Sequence, residues 1–357
     1  MNNTNETCLP ITQHMSIPVL MCLVYFIGFL LNFFSLWIFC CHLPSWSVGT
    51  VLQFNLALSD ALATPVTPLI AVYFLMGNNW IFGEFLCQVK ICLMSSHFYG
   101  STIFLTLISV HRYTAVVHFK KSSRMKNKSF IKKLCAGVWL FLLAQSLVYC
   151  FVVPPTKVDD RVQCLSFSQT TLSNSLFVIN FVLLLLGFLL PLSISAICYF
   201  QLTNTLTSLN TSSPKGLQVK HKSQRMIRMC LIIFAICFLP MNVTRTMAAV
   251  LTKYFPRHCD MVHHVQTAYY ASWIVAGLKC CLDPLLYCFG SQNFRDAFPS
   301  LKKSQPEWEV FWVCPTSSRP QGKSWTHRRD YVSELAWETW APLDELEEVS
   351  RVLGNIP

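Results

Sequence analysis

Seven separate stretches of this chain are each long and apolar enough to cross a lipid bilayer, and that limits the fold more than any single residue does. A spanning helix needs roughly 20 mainly apolar residues. The stretches are Ile17–Cys41, Thr50–Met76, Phe85–Val116, Ile131–Val153, Ser173–Leu202, Met226–Lys253 and His263–Ser291. Hydrocarbon offers no water to backbone N–H and C=O groups, so each stretch must bond to itself as a helix. Composition agrees: 53% of residues are hydrophobic and 13% charged, against about 25% charged in soluble domains. The expected fold class is an all-α membrane protein, a seven-transmembrane helix bundle. A short amphipathic helix is expected after the seventh span. The expected layout is an extracellular N-terminus at 1–16, the bundle at 17–291, a juxtamembrane helix at 292–303 and a cytoplasmic tail at 304–357. The tail carries Trp308, Trp312, Trp325, Trp337 and Trp340 among Pro, Ser and acidic residues, and its composition reads as disordered. Pro65, Pro68, Pro191, Pro240 and Pro284 lie inside spans and predict kinks.

The net charge of +11 is unevenly placed. Lys120, Lys121, Arg124, Lys126, Lys128, Lys132 and Lys133 follow the third span, and Lys215, Lys220, Lys222 and Arg225 precede the sixth. The alternate loops are sparse: Lys157 and Arg161 stand against Asp159 and Asp160, and Lys253 and Arg257 against Asp260. Basic loops stay on the cytoplasmic side. The N-terminus is therefore expected outside, in a multi-pass protein of the plasma membrane. The lysines set topology and meet anionic lipid; no nucleic-acid polymer is expected as a partner. Residues 2–8 are polar and lack the basic start of a signal peptide. The sequons at Asn2 and Asn5 fall outside and are expected to be glycosylated, whereas similar triplets at Asn127 and Asn210 fall on the wrong side.

Seventeen cysteines invite a metal or disulfide reading. Cys22, Cys40, Cys41, Cys150, Cys198, Cys230 and Cys237 lie within apolar runs and read as small hydrophobes. No CxxC pair has zinc spacing, so no metal or other cofactor is expected.

Polar groups inside spans are expensive and point to function. They are Asn32 in the first span, Asn55 and Asp60 in the second and Arg112 at the end of the third, in Ile108-Ser-Val-His-Arg-Tyr113. Others are Tyr199 beyond Pro191, and Lys279, Asp283 and Tyr287 in the seventh. Trp139 marks the fourth span, and Phe234 and Phe238 precede Pro240 in the sixth. In this order and spacing they resemble the rhodopsin-like class of G-protein-coupled receptors over about residues 17–298, as does Trp80-Ile-Phe-Gly83 before Cys87. Phe98-Tyr-Gly-Ser-Thr-Ile-Phe-Leu-Thr106 and Phe238-Leu-Pro-Met-Asn-Val-Thr-Arg-Thr246 are similar to its purinoceptor-like branch.

The resemblance implies a Cys87–Cys164 disulfide on the oxidising face, where a second bridge would join Cys8 to Cys259. It implies an outer pocket for an extracellular anion, most readily a nucleotide, and signalling through a heterotrimeric G protein. The candidate ligand residues are Arg245, Asn242, Lys90, Tyr99, Tyr269, Trp273 and Lys253. A guanidinium such as Arg245 can grip phosphate or carboxylate with two parallel bonds. Three departures bear on the ligand. Asn242 replaces the histidine usual in nucleotide receptors, and Ile91 and Trp273 replace basic residues. A lysophospholipid, an eicosanoid or a small carboxylate is the alternative, as is a receptor with no ligand of its own. A transporter would need matching broken helices, which are not seen. An enzyme would need a catalytic pair; His97 stands near Ser96 and Tyr99 with no acid beside it in sequence, so no catalytic residue is assigned.

The expected switch set is Arg112, Asp60, Lys279, Asp283, Phe238, Tyr287 and Tyr199. In this class an acid usually precedes the arginine, and another often closes the sixth helix; here they are His111 and Lys220, which predicts raised basal signalling. The seventh helix of the class lines a sodium site, with Asp60 and Ser101 as matching ligands. Lys279 stands where asparagine is common, four residues before Asp283 and on the same face. Its ammonium is expected to replace the ion.

Overall fold

The computed structural model describes residues 13–43, 45–117, 124–152, 156–158, 161–164, 173–208, 214–255, 257–290 and 294. Among them are seven helices long and apolar enough to cross a membrane: Ser16–Cys41, Val48–Leu75, Gly83–Val117, Lys128–Val148, Phe177–Asn204, Val219–Tyr254 and Cys259–Cys288. In chain order these are the first to seventh spans. The third lies at the centre, with 78% of its apolar window buried against 28% for the first and fourth and 22% for the fifth. Outward faces of those peripheral spans present Phe26, Leu30, Phe141, Leu147, Leu186 and Phe200, the apolar surface that lipid contact requires.

Several helix ends differ from the apolar stretches, because hydropathy marks where lipid begins and not where backbone hydrogen bonding begins. The fourth helix starts at Lys128 rather than Ile131. Asn127 caps it, its Oδ1 accepting from the N–H groups of Ser129 at 2.9 Å and Phe130 at 3.2 Å. The sixth helix starts at Pro214, well before Met226, and proline suits a first helical position. Lys215, Lys220, Lys222 and Arg225 are therefore on a helix and not in a loop. The seventh helix runs Cys259–Gly290. Of the expected juxtamembrane helix, only Phe294 is described; its buried ring lies 4.9 Å from that of Phe39 and 5.9 Å from that of Tyr287. Asn2, Asn5, Cys8 and the tail at 304–357 lie outside the described residues.

Pro191 and Pro284 each free a carbonyl of their own span, and a neighbouring span answers it. Proline has no N–H to give the carbonyl four residues back, and its ring crowds that oxygen. A wider turn, Leu185–Leu189, precedes Pro191, and another, Phe234–Phe238, precedes Pro240. The carbonyl four residues before Pro191 is that of Gly187, and it accepts from the Thr102 hydroxyl of the third span at 3.0 Å. Thr106 donates to the Pro191 carbonyl at 3.3 Å. For Pro284 the freed carbonyl is Cys280, which accepts from the Asn32 amide at 2.7 Å. The first and seventh spans can approach this closely because Gly28 has no side chain. A Cβ there would stand 2.5 Å from the Cβ of Cys280.

One small departure from an all-helical chain is an antiparallel hairpin between the fourth and fifth spans, Thr156–Val158 paired with Arg161–Gln163. It leads into Cys164, which is bonded to Cys87 at the start of the third span. Val162 ties the hairpin to the preceding loop, its C=O accepting from the Trp80 N–H at 2.7 Å and its N–H donating to Asn79 Oδ1 at 2.9 Å. The bundle thus has a disulfide end and, at the far end of the third span, an Arg112 end.

Candidate functional site

Near the disulfide end, Arg245 projects from the sixth span into the bundle. It is buried, and its Nη2 donates to Asn242 Oδ1 at 2.9 Å, one helical turn back. Its Nη1 donates to the Tyr99 hydroxyl of the third span. Tyr99 in turn packs against Gly187, where a Cβ would stand 2.7 Å from the tyrosine ring. This arginine is not reaching out to an interface; two side chains hold its fork pointing inward.

Aromatic rings surround this place. Trp273 is buried, with its ring 5.6 Å from Tyr269 and 5.9 Å from Phe98. The Tyr25 hydroxyl donates to the Trp273 carbonyl at 3.4 Å. Thr244 and Ser272 join the sixth and seventh spans through hydroxyls 3.2 Å apart.

The other two candidate cations have different occupations. Lys90 is buried; its ammonium donates to the Cys164 carbonyl at 3.0 Å and lies 5.5 Å from the Trp80 ring and 5.8 Å from that of Tyr73. Lys253 lies over the ring of Phe177 at 3.9 Å, on the fifth span. The structure therefore brings together Arg245, Asn242 and Tyr99, with Trp273 and Tyr269 in the aromatic group beside Phe98. It sends Lys90 to the loop above and Lys253 to the fifth helix. Cys259 is disulfide-bonded, but Cys8, its expected partner, is outside the described residues.

In the middle of the bundle five buried ionisable side chains meet. Asp60 Oδ1 accepts from Ser101 at 2.8 Å and from the Lys279 ammonium at 2.5 Å. The same ammonium donates to Asp283 Oδ2, one turn along its own helix. His97 Nδ1 lies 3.4 Å from Asp60 Oδ1, and the Cys280 thiol lies 3.8 Å from His97 Nε2. An acid thus does stand beside His97, contrary to the sequence reading. It comes from another span, and the available signal was that His97 sits four residues before Ser101 on one helical face. Asp60, His97 and Cys280 could together face a metal ion. The Lys279 ammonium touches both carboxylates and so occupies the point between them.

At the Arg112 end, Arg112 is buried and its Nε–H donates to the Met226 sulfur of the sixth span at 3.0 Å. The Tyr287 hydroxyl donates to Asn32 Oδ1 at 3.3 Å. Tyr199 packs in a small apolar cluster with Val110, Tyr113, Cys198, Leu202 and Ile227. Between this end and the aromatic group, Phe238 lies 6.0 Å from Phe234, which lies 6.3 Å from Phe188. The expected switch residues therefore form three groups along the bundle, joined through packed side chains.

A sequence model of the family described as "7 transmembrane receptor (rhodopsin family)" matches residues 31–287. A human purinoceptor is 32% identical over 292 residues, 80% of this chain and 77% of that protein. Mouse 2-oxoglutarate receptor 1 is 31% identical over 297 residues, 82% of this chain and 86% of that protein. Human lysophosphatidic acid receptor 6 is 32% identical over 278 residues, 77% of this chain and 80% of that protein.

Proposed function

The chain belongs to the rhodopsin family of seven-transmembrane receptors, and from that premise we propose that it is a plasma-membrane receptor for an extracellular anion. Its N-terminus and the disulfide end face outward, and its Arg112 end meets a heterotrimeric G protein. The observation that carries the ligand reading is Arg245, a buried guanidinium held inside the bundle by Tyr99 and Asn242 near the packed rings of Tyr269, Trp273 and Phe98. A guanidinium so held has lost its side-chain freedom before a ligand arrives, which favours binding.

One cation facing aromatic walls suits a ligand with one acidic group and an apolar or aromatic body. A lysophospholipid, an eicosanoid or a small carboxylate answers that description. A polyphosphate would draw on several cations, and the Lys90 and Lys253 ammonium groups are engaged elsewhere. A nucleotide is the second reading, favoured by the likeness to a purinoceptor and by rings on which a base can stack. In either case the ligand acts by population shift: it stabilises the arrangement it binds better. Repacking of Phe238 and Phe234 next to the Pro240 bend would then release Arg112 from Met226 and turn Tyr287 from Asn32 toward Tyr199.

GTP-analogue binding to membranes holding the full chain tests this. Lysophosphatidate, 2-oxoglutarate, fatty-acid derivatives and nucleotides are applied in parallel, with Arg245→Ala as the control. A response to one acid class that the Arg245→Ala protein loses supports the reading. A ligand response that survives Arg245→Ala sinks it.

A further inference from the structure

We propose that Asp60 and Asp283 form a monovalent-cation site whose resident cation is the Lys279 ammonium. The native protein then takes up no dissolved sodium there, and removal of the lysine side chain opens the site to it. This does not depend on which ligand the receptor binds.

The geometry is that of a bound ion with a covalent tether. One Nζ reaches Asp60 on the second span and Asp283 on the seventh. Both acids and the lysine are buried, and the Ser101 hydroxyl supplies a third oxygen against the same Asp60 Oδ1. Asp60 Oδ2 and Asp283 Oδ1 are also buried and meet no donor among the described residues. Two carboxylates therefore share one ammonium and stay short of positive charge. Hard oxygen donors suit a hard cation. An ammonium and a sodium ion carry equal charge, so either can answer such a pair.

The tether changes the chemistry in one respect. A dissolved ion comes and goes with its concentration, while Lys279 is always present, held four residues from Asp283 on one helical face. A second cation cannot take the point between the carboxylates beside it, because like charges that close repel strongly at low dielectric. Cutting the side chain back to Cβ takes the ammonium from both acids and leaves Asp60 with only the Ser101 hydroxyl and the His97 ring beside it, a state that favours a new counter-ion or a proton.

Thermal unfolding of the purified full-length receptor separates these outcomes, in sodium chloride and in N-methylglucamine chloride at equal ionic strength and pH. The wild type is expected to melt at one temperature in both salts. Lys279→Ala is expected to gain about 2–4 °C as sodium rises to saturation, with no gain in the organic salt. Lys279→Ala/Asp60→Asn is expected to lose that gain. A wild type stabilised by sodium as much as the variant overturns the proposal, and so does a folded Lys279→Ala protein that melts alike in both salts. Should Lys279→Ala yield no folded protein, Lys279→Asn carries the test. It removes the ammonium while leaving Asp60, Asp283 and Ser101 in place, and a lack of sodium-specific gain there overturns the proposal equally.

Discussion

The side-chain amide of Asn32 donates to the carbonyl of Cys280 at 2.7 Å, the oxygen that Pro284 leaves without a helical donor. A second hydrogen of the same amide goes to the Gly28 carbonyl at 2.9 Å. Asn32→Leu keeps much of the volume and removes both bonds, together with the Oδ1 that accepts from the Tyr287 hydroxyl. Orphaning one buried carbonyl costs about 1–3 kcal/mol. The variant should melt at a lower temperature than wild type, and an unchanged melting temperature would mean that the carbonyl finds another donor.

Gly28 and Cys280 form a second pair across the same interface. A methyl group at Gly28 would overlap the Cys280 Cβ, and overpacking of this kind costs about 1–3 kcal/mol. Gly28→Ala should therefore destabilise the protein. Cys280→Gly removes the opposing Cβ, so the double variant should be more stable than the sum of the two single effects. Simple additivity in a double-mutant cycle would count against the contact.

Arg245 and Lys90 should separate in function. Arg245→Ala should raise the concentration of agonist needed about 10–100-fold, the size of a lost charged hydrogen bond. Arg245→Lys should not restore it, since an ammonium lacks the planar fork. Lys90 supports the Cys164 carbonyl instead, so Lys90→Met should lower surface yield and melting temperature while potency stays near wild type. Concentration–response curves normalised to surface expression distinguish the two.

Lys220 lies on the same helix as Met226, the residue that Arg112 meets. Lys220→Glu places an acid near the Arg112 end. A pair worth about 0.5–1 kcal/mol would cut the active fraction on the order of two- to fivefold. Ligand-free GTP-analogue binding should fall by that amount, and equality with wild type would show that packing alone sets the resting state.

The seven spans were legible because hydrocarbon thickness dictates a run of apolar residues, and the pairing of Lys279 with Asp283 was legible because four residues make one helical turn. What the sequence left hidden was contact between spans. His97 gains its acid from Asp60, on a different helix, and the one local sign of it was the four-residue spacing from His97 to Ser101. Arg245 and Lys90 looked alike as cations near one end of the bundle, yet one turns inward and the other upward to the loop. Side-chain direction depends on rotation about the helix and on neighbours, neither of which a linear string records. The early start of the sixth helix at Pro214 was missed for a simpler reason: its first turns are polar and escape any test for lipid.

The wider turn of the fifth span is fastened from outside itself, by Thr102 reaching Gly187 and Thr106 reaching Pro191. Such a turn cannot relax alone. For the fifth span to slide past the third, both hydroxyls must let go of their oxygens and take new ones, so the two spans should move in steps, like a pawl over teeth, rather than glide.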